Sequence, residues 1–220
     1  MSVRENRSMA LFFLVDTSGS MSGVKMTGVN SAISEAVSDV VKLSRENEIE
    51  IKIGVMQFSY GAKWITTRPV RSEDFTWQKL NADGLTDFGA MCRKLNEKLS
   101  GRDFSSDEAG IFAPVIIVIS DGEPTDEYKN ELSELWKNRT FSSAIRVAVA
   151  IGEYASTDIL AEFTGSESSV TTVHTSDSLV RAIRLVTSTA IKVSMESMSV
   201  PIEGNVHLDP FAEDPSEWEF

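Results

Sequence analysis

The chain has 220 residues, of which 41% are hydrophobic and 25% charged, and this is typical of one globular domain with a core. Thirty-three acidic residues against twenty-one basic ones give a net charge of −12, which argues against nucleic-acid binding. No apolar run approaches the roughly 20 residues of a membrane span, and the short run at 10–15 does not resemble a signal peptide, so we expect a cytoplasmic protein with no membrane partner. The single cysteine, Cys92, excludes an internal disulfide, and its place on an apolar helical stripe predicts a buried thiol.

Two hydrophobic periodicities alternate along the chain. A continuous apolar run at 10–15 predicts a strand buried on both faces, and apolar residues at helical spacing then predict a helix from about 25 to 46. The pattern continues, in chain order, with a hairpin at 51–66, a helix at 88–99, a strand at 115–119, a helix at 128–136, a strand at 145–151, a short helix at 159–163, a strand at 170–173 and a closing helix from 179 to about 195. This order predicts a doubly wound α/β fold with a mainly parallel sheet, one antiparallel edge strand and helices on both faces.

The last twenty residues differ in composition from the body of the chain. The segment 201–220 carries six acidic residues, three prolines and no Lys or Arg. We therefore predict an N-terminal arm at 1–8, one domain at 9–195 and an acidic tail at 196–220. Such ends are usually solvated, but aromatic side chains interleaved with the acids favour docking on a partner or on the chain itself. The tail residues concerned are Phe211, Glu217, Trp218, Glu219 and Phe220, and Glu217 or Glu219 is a candidate metal ligand, in the same chain or in a neighbouring copy.

Small and oxygen-bearing residues gather in three loops. Asp-Thr-Ser-Gly-Ser-Met at 16–21 follows the first strand, Asp-Gly-Leu-Thr-Asp-Phe-Gly at 83–89 precedes the second helix, and Ser-Asp-Gly-Glu-Pro-Thr-Asp at 120–126 follows the buried strand at 115–119. In open α/β sheets the ligand site lies beyond the carboxyl ends of the strands. We therefore expect the three loops to converge at one edge of the sheet.

The candidate ligands in these loops are hard oxygen donors. Ser18 and Ser20 alternate along an extended loop and so point the same way, while Thr86 adds a hydroxyl. Asp16 and Asp121 add two carboxylates. Such a set suits Mg²⁺, with Mn²⁺ or Ca²⁺ as alternatives. The competing interpretation is that Asp16 and Ser18 only cap the first helix, which is the usual role of such residues.

The three loops together resemble the metal-ion-dependent adhesion site (MIDAS) of the von Willebrand factor A (vWA) family. The resemblance covers residues 9–191, because the order of strands and helices also fits. It implies that Ser18, Ser20 and Thr86 donate hydroxyls to the metal. It also implies that Asp16 and Asp121 complete the site, often through water.

The first and third loops are further similar to the bacterial TerY-like branch of the family, which is linked to tellurite resistance. That resemblance implies a stress-response or phospho-signalling role, with a protein phosphatase and a Ser/Thr kinase as candidate partners. The chain departs from the branch at Leu85, where a glycine is usual, and at Asp87, where Ser or Asn is usual. Asp87 would add a negative charge beside the metal, and could bind the metal, cap the helix or weaken the docking of an acidic partner.

The predicted function is that of a protein-interaction module and not of an enzyme. If both aspartates act through water, the metal keeps most of its charge and one open position, for which a partner's Asp or Glu is the natural ligand. A metal-assisted phosphoryl or ester hydrolase is the alternative from another class. It needs a general base, and neither His174 nor His207 belongs to the three loops. A scaffold subunit with a vestigial metal site is a third interpretation of the same residues.

Overall fold

The structure is a computed structural model, and it describes residues 7–101, 112–153 and 155–197. Its strands are β1 Ser8–Asp16, β2 Glu50–Ser59, β3 Gly61–Trp64, β4 Val70–Arg71, β5 Val115–Ser120, β6 Ile145–Ile151 and β7 Val170–Val173. Its α-helices are α1 Val24–Glu46, α2 Phe88–Ser100, α3 Tyr128–Trp136, α4 Arg139–Ser143, α5 Thr157–Thr164 and α6 Ser176–Ser197. Two single 3₁₀ turns lie at Gly19–Met21 and Glu167–Ser169.

The described strands form one sheet with the order β3-β2-β1-β5-β6-β7, and β4 also pairs with β2. Neighbours along β2-β1-β5-β6-β7 run parallel. Both β3 and the short β4 run antiparallel to β2, on its side away from β1. The predicted doubly wound sheet with an antiparallel edge is therefore confirmed, with β4 as an addition to that edge.

Strand β1 lies at the centre of the sheet because both of its faces are apolar. All nine of its residues are buried. Leu11, Phe13 and Val15 belong to the core on one face of the sheet, while Phe12 and Leu14 belong to the core on the other. Side chains alternate between the two faces along a strand, so a continuous apolar run requires cover on both sides.

The helices supply that cover in two layers. In the part of the chain that the structure describes, α1 and α6 pack on the face that carries Phe13, and α2, α3, α4 and α5 pack on the face that carries Phe12. The carboxyl ends of β1 and β5 lie at one edge of the sheet, between these two helix layers. The loops that follow the two central strands are thereby brought to one edge of the sheet.

The sequence pattern missed the shortest elements. Helix α4 has five residues and begins at the Asn138 side chain, which accepts hydrogen bonds from the N–H groups of Thr140 and Phe141. Strand β4 has two residues. Neither is long enough to produce a hydrophobic period.

The predicted boundaries of the domain differ slightly from those of the described elements. The elements run from Ser8 to Ser197, one or two residues beyond the predicted 9–195. Residues 1–6 of the predicted arm at 1–8 and residues 198–220 of the predicted tail at 196–220 lie outside the described residues. None of the helices in the described ranges combines the length and apolar character needed to cross a membrane.

Candidate metal centre

Asp16 occupies the end of β1, where the register of the central strands sets its neighbours. Val15 pairs with Ile119 of β5, so the next residues of the two strands, Asp16 and Ser120, lie side by side. The Ser120 hydroxyl donates to Asp16 Oδ2 at 2.6 Å, and the Ser18 N–H donates to Asp16 Oδ1 at 2.7 Å. Asp16 is fully buried, and both of its oxygens already accept a hydrogen bond.

The burial of Asp16 affects its ionisation. Burial raises the pKa of the Asp16 carboxyl above its ordinary value of 3.8, and hydrogen bonds from Ser120 and Ser18 offset only part of this rise. The nearby Asp121 carboxylate adds a smaller effect in the same direction. A cation beside this carboxylate would favour its ionised form.

The first loop, residues 16–21, is the serine loop. It joins β1 to Asp121 through a chain of hydroxyl groups. The Oγ atoms of Ser18 and Ser20 lie 3.0 Å apart, and the Ser20 hydroxyl donates to Asp121 Oδ1 at 2.7 Å. Helix α1 begins after Gly23 without a side-chain cap, so neither Asp16 nor Ser18 caps it. Asp16 instead contacts Ser120 of the third loop, and Ser18 contacts Ser20 in its own loop.

Hydrogen bonds hold the Thr86 loop between the first and third loops. The Gly19 N–H donates to Gly84 O at 2.9 Å, which joins the serine loop to the segment before Thr86. The Thr86 N–H donates to Thr125 Oγ1 at 3.0 Å, and the Thr125 N–H donates back to Thr86 O at 2.9 Å. All three predicted loops therefore converge.

Gly122 marks a small cradle between the converging oxygens. A Cβ atom built on Gly122 would lie 3.3 Å from Thr86 Oγ1, 3.7 Å from Ser20 Oγ and 3.9 Å from Asp16 Oδ2. Three oxygens, from two different loops and the end of β1, thus lie within 4 Å of one point, and glycine leaves this space free because it has no side chain. A cradle lined by hydroxyl and carboxylate oxygens is suited to a hard divalent cation.

Lys25 is a member of the site that the sequence pattern did not reveal. Its ammonium group forms an ion pair with Asp121 Oδ2. The Lys25 side chain is 39% exposed, whereas the Asp121 side chain is fully buried. Lys25 stands at the start of α1, and only the three-dimensional fold brings it to a residue that follows β5.

Asp87 is engaged outside the cradle. Its Oδ2 accepts a hydrogen bond from the Gly61 N–H at 2.6 Å, and its Oδ1 accepts one from the Thr125 hydroxyl at 3.4 Å. The Asp87 side chain does not cap α2. Asp126 instead accepts hydrogen bonds from the N–H groups of Gly89 and Ala90 in the first turn of α2.

The remaining candidate residues lie elsewhere. The tail residues Phe211, Glu217, Trp218, Glu219 and Phe220 fall outside the described part of the chain, as does His207. His174 is exposed and follows β7, which is two strands away from β5. Cys92 is fully buried on α2.

The donor set of the cradle differs from that of a carboxylate-rich or histidine-rich metal site. Within the described residues, no group of three or more His, Cys, Asp or Glu side chains is placed to hold a metal. The cradle is lined by oxygens of Thr86, Ser20 and Asp16, and hydrogen bonds join Ser18 and Asp121 to Ser20. Oxygen ligands of this kind fit Mg²⁺, Mn²⁺ or Ca²⁺ better than a soft metal.

Comparison with solved structures places the fold among vWA domains. A von Willebrand factor type A protein from Catenulispora acidiphila aligns with a TM-score of 0.64 at 16% identity, covering 84% of this chain and 43% of that one. Proximal thread matrix protein 1 from the mussel byssus, in a form with a zinc-occupied MIDAS motif, aligns with a TM-score of 0.63 at 19% identity, covering 83% of this chain and 48% of that one. The pilus adhesin SpaC from Lactobacillus rhamnosus GG aligns with a TM-score of 0.66 at 12% identity, covering 86% of this chain and 30% of that one.

The present chain spans less than half the length of each of these solved chains. Identities this low establish a shared fold. A search of curated proteins found no match. The sequence itself matches the family model of the von Willebrand factor type A domain over residues 10–185. The chain therefore belongs to the von Willebrand factor type A domain family.

Proposed function

We propose that this chain is a metal-ion-dependent protein-interaction module. The observation that carries the proposal is the cradle at Gly122, where oxygens of Asp16, Ser20 and Thr86 lie 3.3–3.9 Å from the position that a Cβ atom would take. Ser18 and Asp121 extend this donor set through their hydrogen bonds to Ser20. Together these five residues would hold the ion.

The proposed ion is Mg²⁺, with Mn²⁺ and Ca²⁺ as alternatives. Hydroxyl and carboxylate oxygens are the ligands that these hard cations prefer. The mussel byssus protein has a zinc-occupied MIDAS motif, so Zn²⁺ belongs in the same titration. When bound, the ion would supply a positive charge at an otherwise acidic edge of the sheet.

Charge counting supports a carboxylate as the partner's contribution. Asp16 and Asp121, when ionised, bring two negative charges, and Lys25 brings one positive charge. The site alone therefore carries one net negative charge, and a divalent cation would convert this to one net positive charge. An Asp or Glu of a partner protein neutralises that charge in a partly dry site, where such contacts are strong.

A metal-assisted phosphoryl or ester hydrolase is the alternative function. It would need a positioned general base close to the ion. Asp16 and Asp121 already accept hydrogen bonds, Asp121 also pairs with Lys25, and His174 stands two strands away. These placements favour binding over hydrolysis. A scaffold subunit with a vestigial site predicts the same residues but no dependence on metal.

The finer biological proposal is a role in a bacterial stress-response or phospho-signalling system such as tellurite resistance. It is supported by the similarity of the loops at 16–21 and 120–126 to the TerY-like branch. The candidate partners are then a protein phosphatase and a Ser/Thr kinase of the same system. We propose that the interaction takes place in the cytoplasm.

The test combines metal binding with partner capture. Calorimetric titration with Mg²⁺ should give binding to the wild type and none to Asp16→Asn, while the matched control Asp158→Asn should bind as the wild type does. Asp158 is an exposed carboxylate in the first turn of α5. Capture from native lysate should then yield proteins that are retained with Mg²⁺ and released by EDTA. Partners that the wild type and Asp16→Asn retain equally, both with Mg²⁺ and with EDTA, would contradict the proposal and favour a vestigial site.

A further inference from the structure

The large apolar side chains that stand exposed adjoin residues of the site in the chain or pack against its loops. In the described residues, the large hydrophobic side chains that stand exposed are Val24 at 73%, Tyr60 at 71% and Leu85 at 48%. Val24 immediately precedes Lys25, and Leu85 immediately precedes Thr86. A surface that keeps its exposed apolar groups beside one charged site has the character of an interface.

Tyr60 is fixed to the same loop as Leu85. A Cβ atom built on Gly84 would lie 2.5 Å from Cδ2 of Tyr60, so the aromatic ring packs directly on the Gly84 backbone. Gly84 has a φ of +96° and accepts a hydrogen bond from Gly19 at 2.9 Å. The apolar rim formed by Tyr60 and Leu85 is therefore held in place relative to the serine loop. A rigid aromatic anchor loses little conformational entropy on binding.

Two exposed acidic residues adjoin the rim and the cradle along the chain. Asp83 precedes Gly84 and is exposed, and Glu123 follows Gly122 and is also exposed. Lys25, the basic residue at the cradle, is already paired with Asp121. A partner that fits this pattern has a carboxylate at its centre, an apolar side chain beside the carboxylate and basic residues at its periphery.

We propose that the partner of this site is a protein segment in which an Asp or Glu lies next to a large apolar residue and is flanked by Lys or Arg. The apolar residue contacts Tyr60 and Leu85, and the basic residues face Asp83 and Glu123. This inference rests on the proposed function, because the central carboxylate requires the metal.

The acidic tail of the chain meets only part of this description. Segment 201–220 places Trp218 and Phe220 beside glutamates, but its six acidic residues are accompanied by no Lys or Arg. Close to Asp83 and Glu123 such a segment is repelled and not attracted. The charge pattern of the rim therefore favours a separate protein segment over the tail.

The experiment selects ligands without prior assumption about their sequence. Random heptapeptides displayed on phage are bound to the full chain in Mg²⁺ and eluted with EDTA, and the eluted sequences are read. The expected enrichment is an acidic residue within two positions of a large apolar one, with Lys or Arg at the ends. Acidic peptides that lack the apolar neighbour would overturn the inference and leave the proposed function standing. Acidic and aromatic peptides without bases would overturn it in favour of the tail.

The selected peptide is then synthesised and titrated against rim variants. Tyr60→Ser and Leu85→Ser should each weaken peptide binding by about tenfold, as is common for interface anchors, while the affinity for Mg²⁺ alone stays unchanged. Lys63→Ser, at an exposed position of the same hairpin, is the control and should bind the peptide as the wild type does. Equal peptide binding by all three variants would overturn the rim contact. If no peptide is eluted by EDTA although Mg²⁺ binds in the titration, the carboxylate partner of the proposed function is itself contradicted.

Discussion

The ammonium group of Lys25 forms an ion pair with the buried carboxylate of Asp121, which stands 96 residues further along the chain. The contact places a fixed positive charge next to a proposed metal ligand. It opposes a divalent cation at the site, and at the same time leaves the metal-loaded site with a net positive charge for a partner carboxylate.

Replacement of Lys25 by methionine should therefore separate metal binding from partner binding. Lys25→Met removes the positive charge but keeps an unbranched side chain, so we expect Mg²⁺ to bind up to about tenfold more tightly. The carboxylate partner should bind more weakly, because the loaded site loses its net charge. Calorimetry with Mg²⁺ and capture of the partner in saturating Mg²⁺ measure the two effects.

The matched control for this prediction is Lys42→Met on the same helix. Lys42 pairs with Asp39 at 3.7 Å on the exposed surface. Its removal should change neither affinity measurably. Weaker Mg²⁺ binding by Lys25→Met would mean that the ammonium serves chiefly to orient Asp121.

Gly122 offers a way to fill the cradle without removing a ligand. In Gly122→Ala the new methyl group would lie 3.3 Å from Thr86 Oγ1, within the space proposed for the ion. We expect Mg²⁺ binding to be lost, while the melting temperature without metal changes little. Thermal unfolding with and without Mg²⁺ measures both quantities in one experiment.

Gly19→Ala is the control, since a Cβ there would meet only Gly84 O at an ordinary 3.4 Å. This variant should keep its Mg²⁺-dependent rise in melting temperature. If Gly122→Ala binds Mg²⁺ like the wild type, the ion does not occupy the cradle.

Much of the fold could be predicted because its signals are local. The apolar run of β1 indicates a strand buried on both faces, and parallel neighbours bring their carboxyl ends to one edge. That logic sufficed to expect the loops of Asp16 and Asp121 at one place. Helix α4 and strand β4 could not be predicted in this way, because five and two residues respectively are too few to show a hydrophobic period.

The contacts that hold the loops of the site in place could not be predicted in the same way. Lys25 reaches Asp121, Thr125 holds Thr86 and Asp126 binds the start of α2, each through a pairing of distant segments. No local spacing encodes such pairs. The sequence could place Asp126 in the third loop but could not distinguish its role from that of Asp121, which carries the same side chain.

The raised pKa of Asp16 predicts how stability without metal depends on pH. Below the ordinary pKa of 3.8 the carboxyl is protonated in both the folded and the unfolded chain, so its burial places no charge in the protein interior. As pH rises from there through the higher pKa of the folded state, the unfolded chain loses its proton first, so the contribution of Asp16 to stability falls. The free energy of unfolding of the metal-free wild type, measured with denaturant, should therefore fall relative to that of Asp16→Asn as pH rises from 4 towards neutrality.

Metal should reverse this trend, because a bound cation favours the ionised carboxyl. The rise in melting temperature on addition of Mg²⁺ should be largest near neutral pH and should shrink on acidification, as protons compete for the ligand. A rise that is the same at every pH would show that Asp16 does not contribute to the ion's binding.

The thiol of Cys92 should react very slowly with thiol reagents in the folded protein. Its side chain is fully buried on α2, and burial, together with the charges of Asp126 and Glu131, raises the pKa of the thiol. We expect Ellman's reagent at pH 8 to label the native chain at least about a hundredfold more slowly than the chain in guanidinium, since labelling requires opening of the core. Rapid labelling of one thiol per native chain would mean that α2 opens readily.

Arg146 should be a major contributor to stability far from the metal centre. It has no acidic partner among its described contacts; its guanidinium instead donates to the carbonyls of Ala144 at 2.9 Å and Thr164 at 3.1 Å. It also lies 4.4 Å from the ring centre of Trp136. Burial lowers the pKa of Arg146 to about 10, which leaves it charged at neutral pH.

Replacement of Arg146 by methionine would remove the guanidinium donors from these carbonyls and the contact between cation and ring. We expect a loss of about 2–3 kcal/mol in the free energy of unfolding, measured by guanidinium titration. Arg139→Met, at an exposed position of α4, is the matched control and should change stability by less than about 0.5 kcal/mol. Because the carbonyls belong to the ends of α4 and α5, on the face opposite α1, Mg²⁺ binding should be unchanged in the folded variant. Equal stability of the two variants would mean that water replaces the guanidinium at these helix ends without cost.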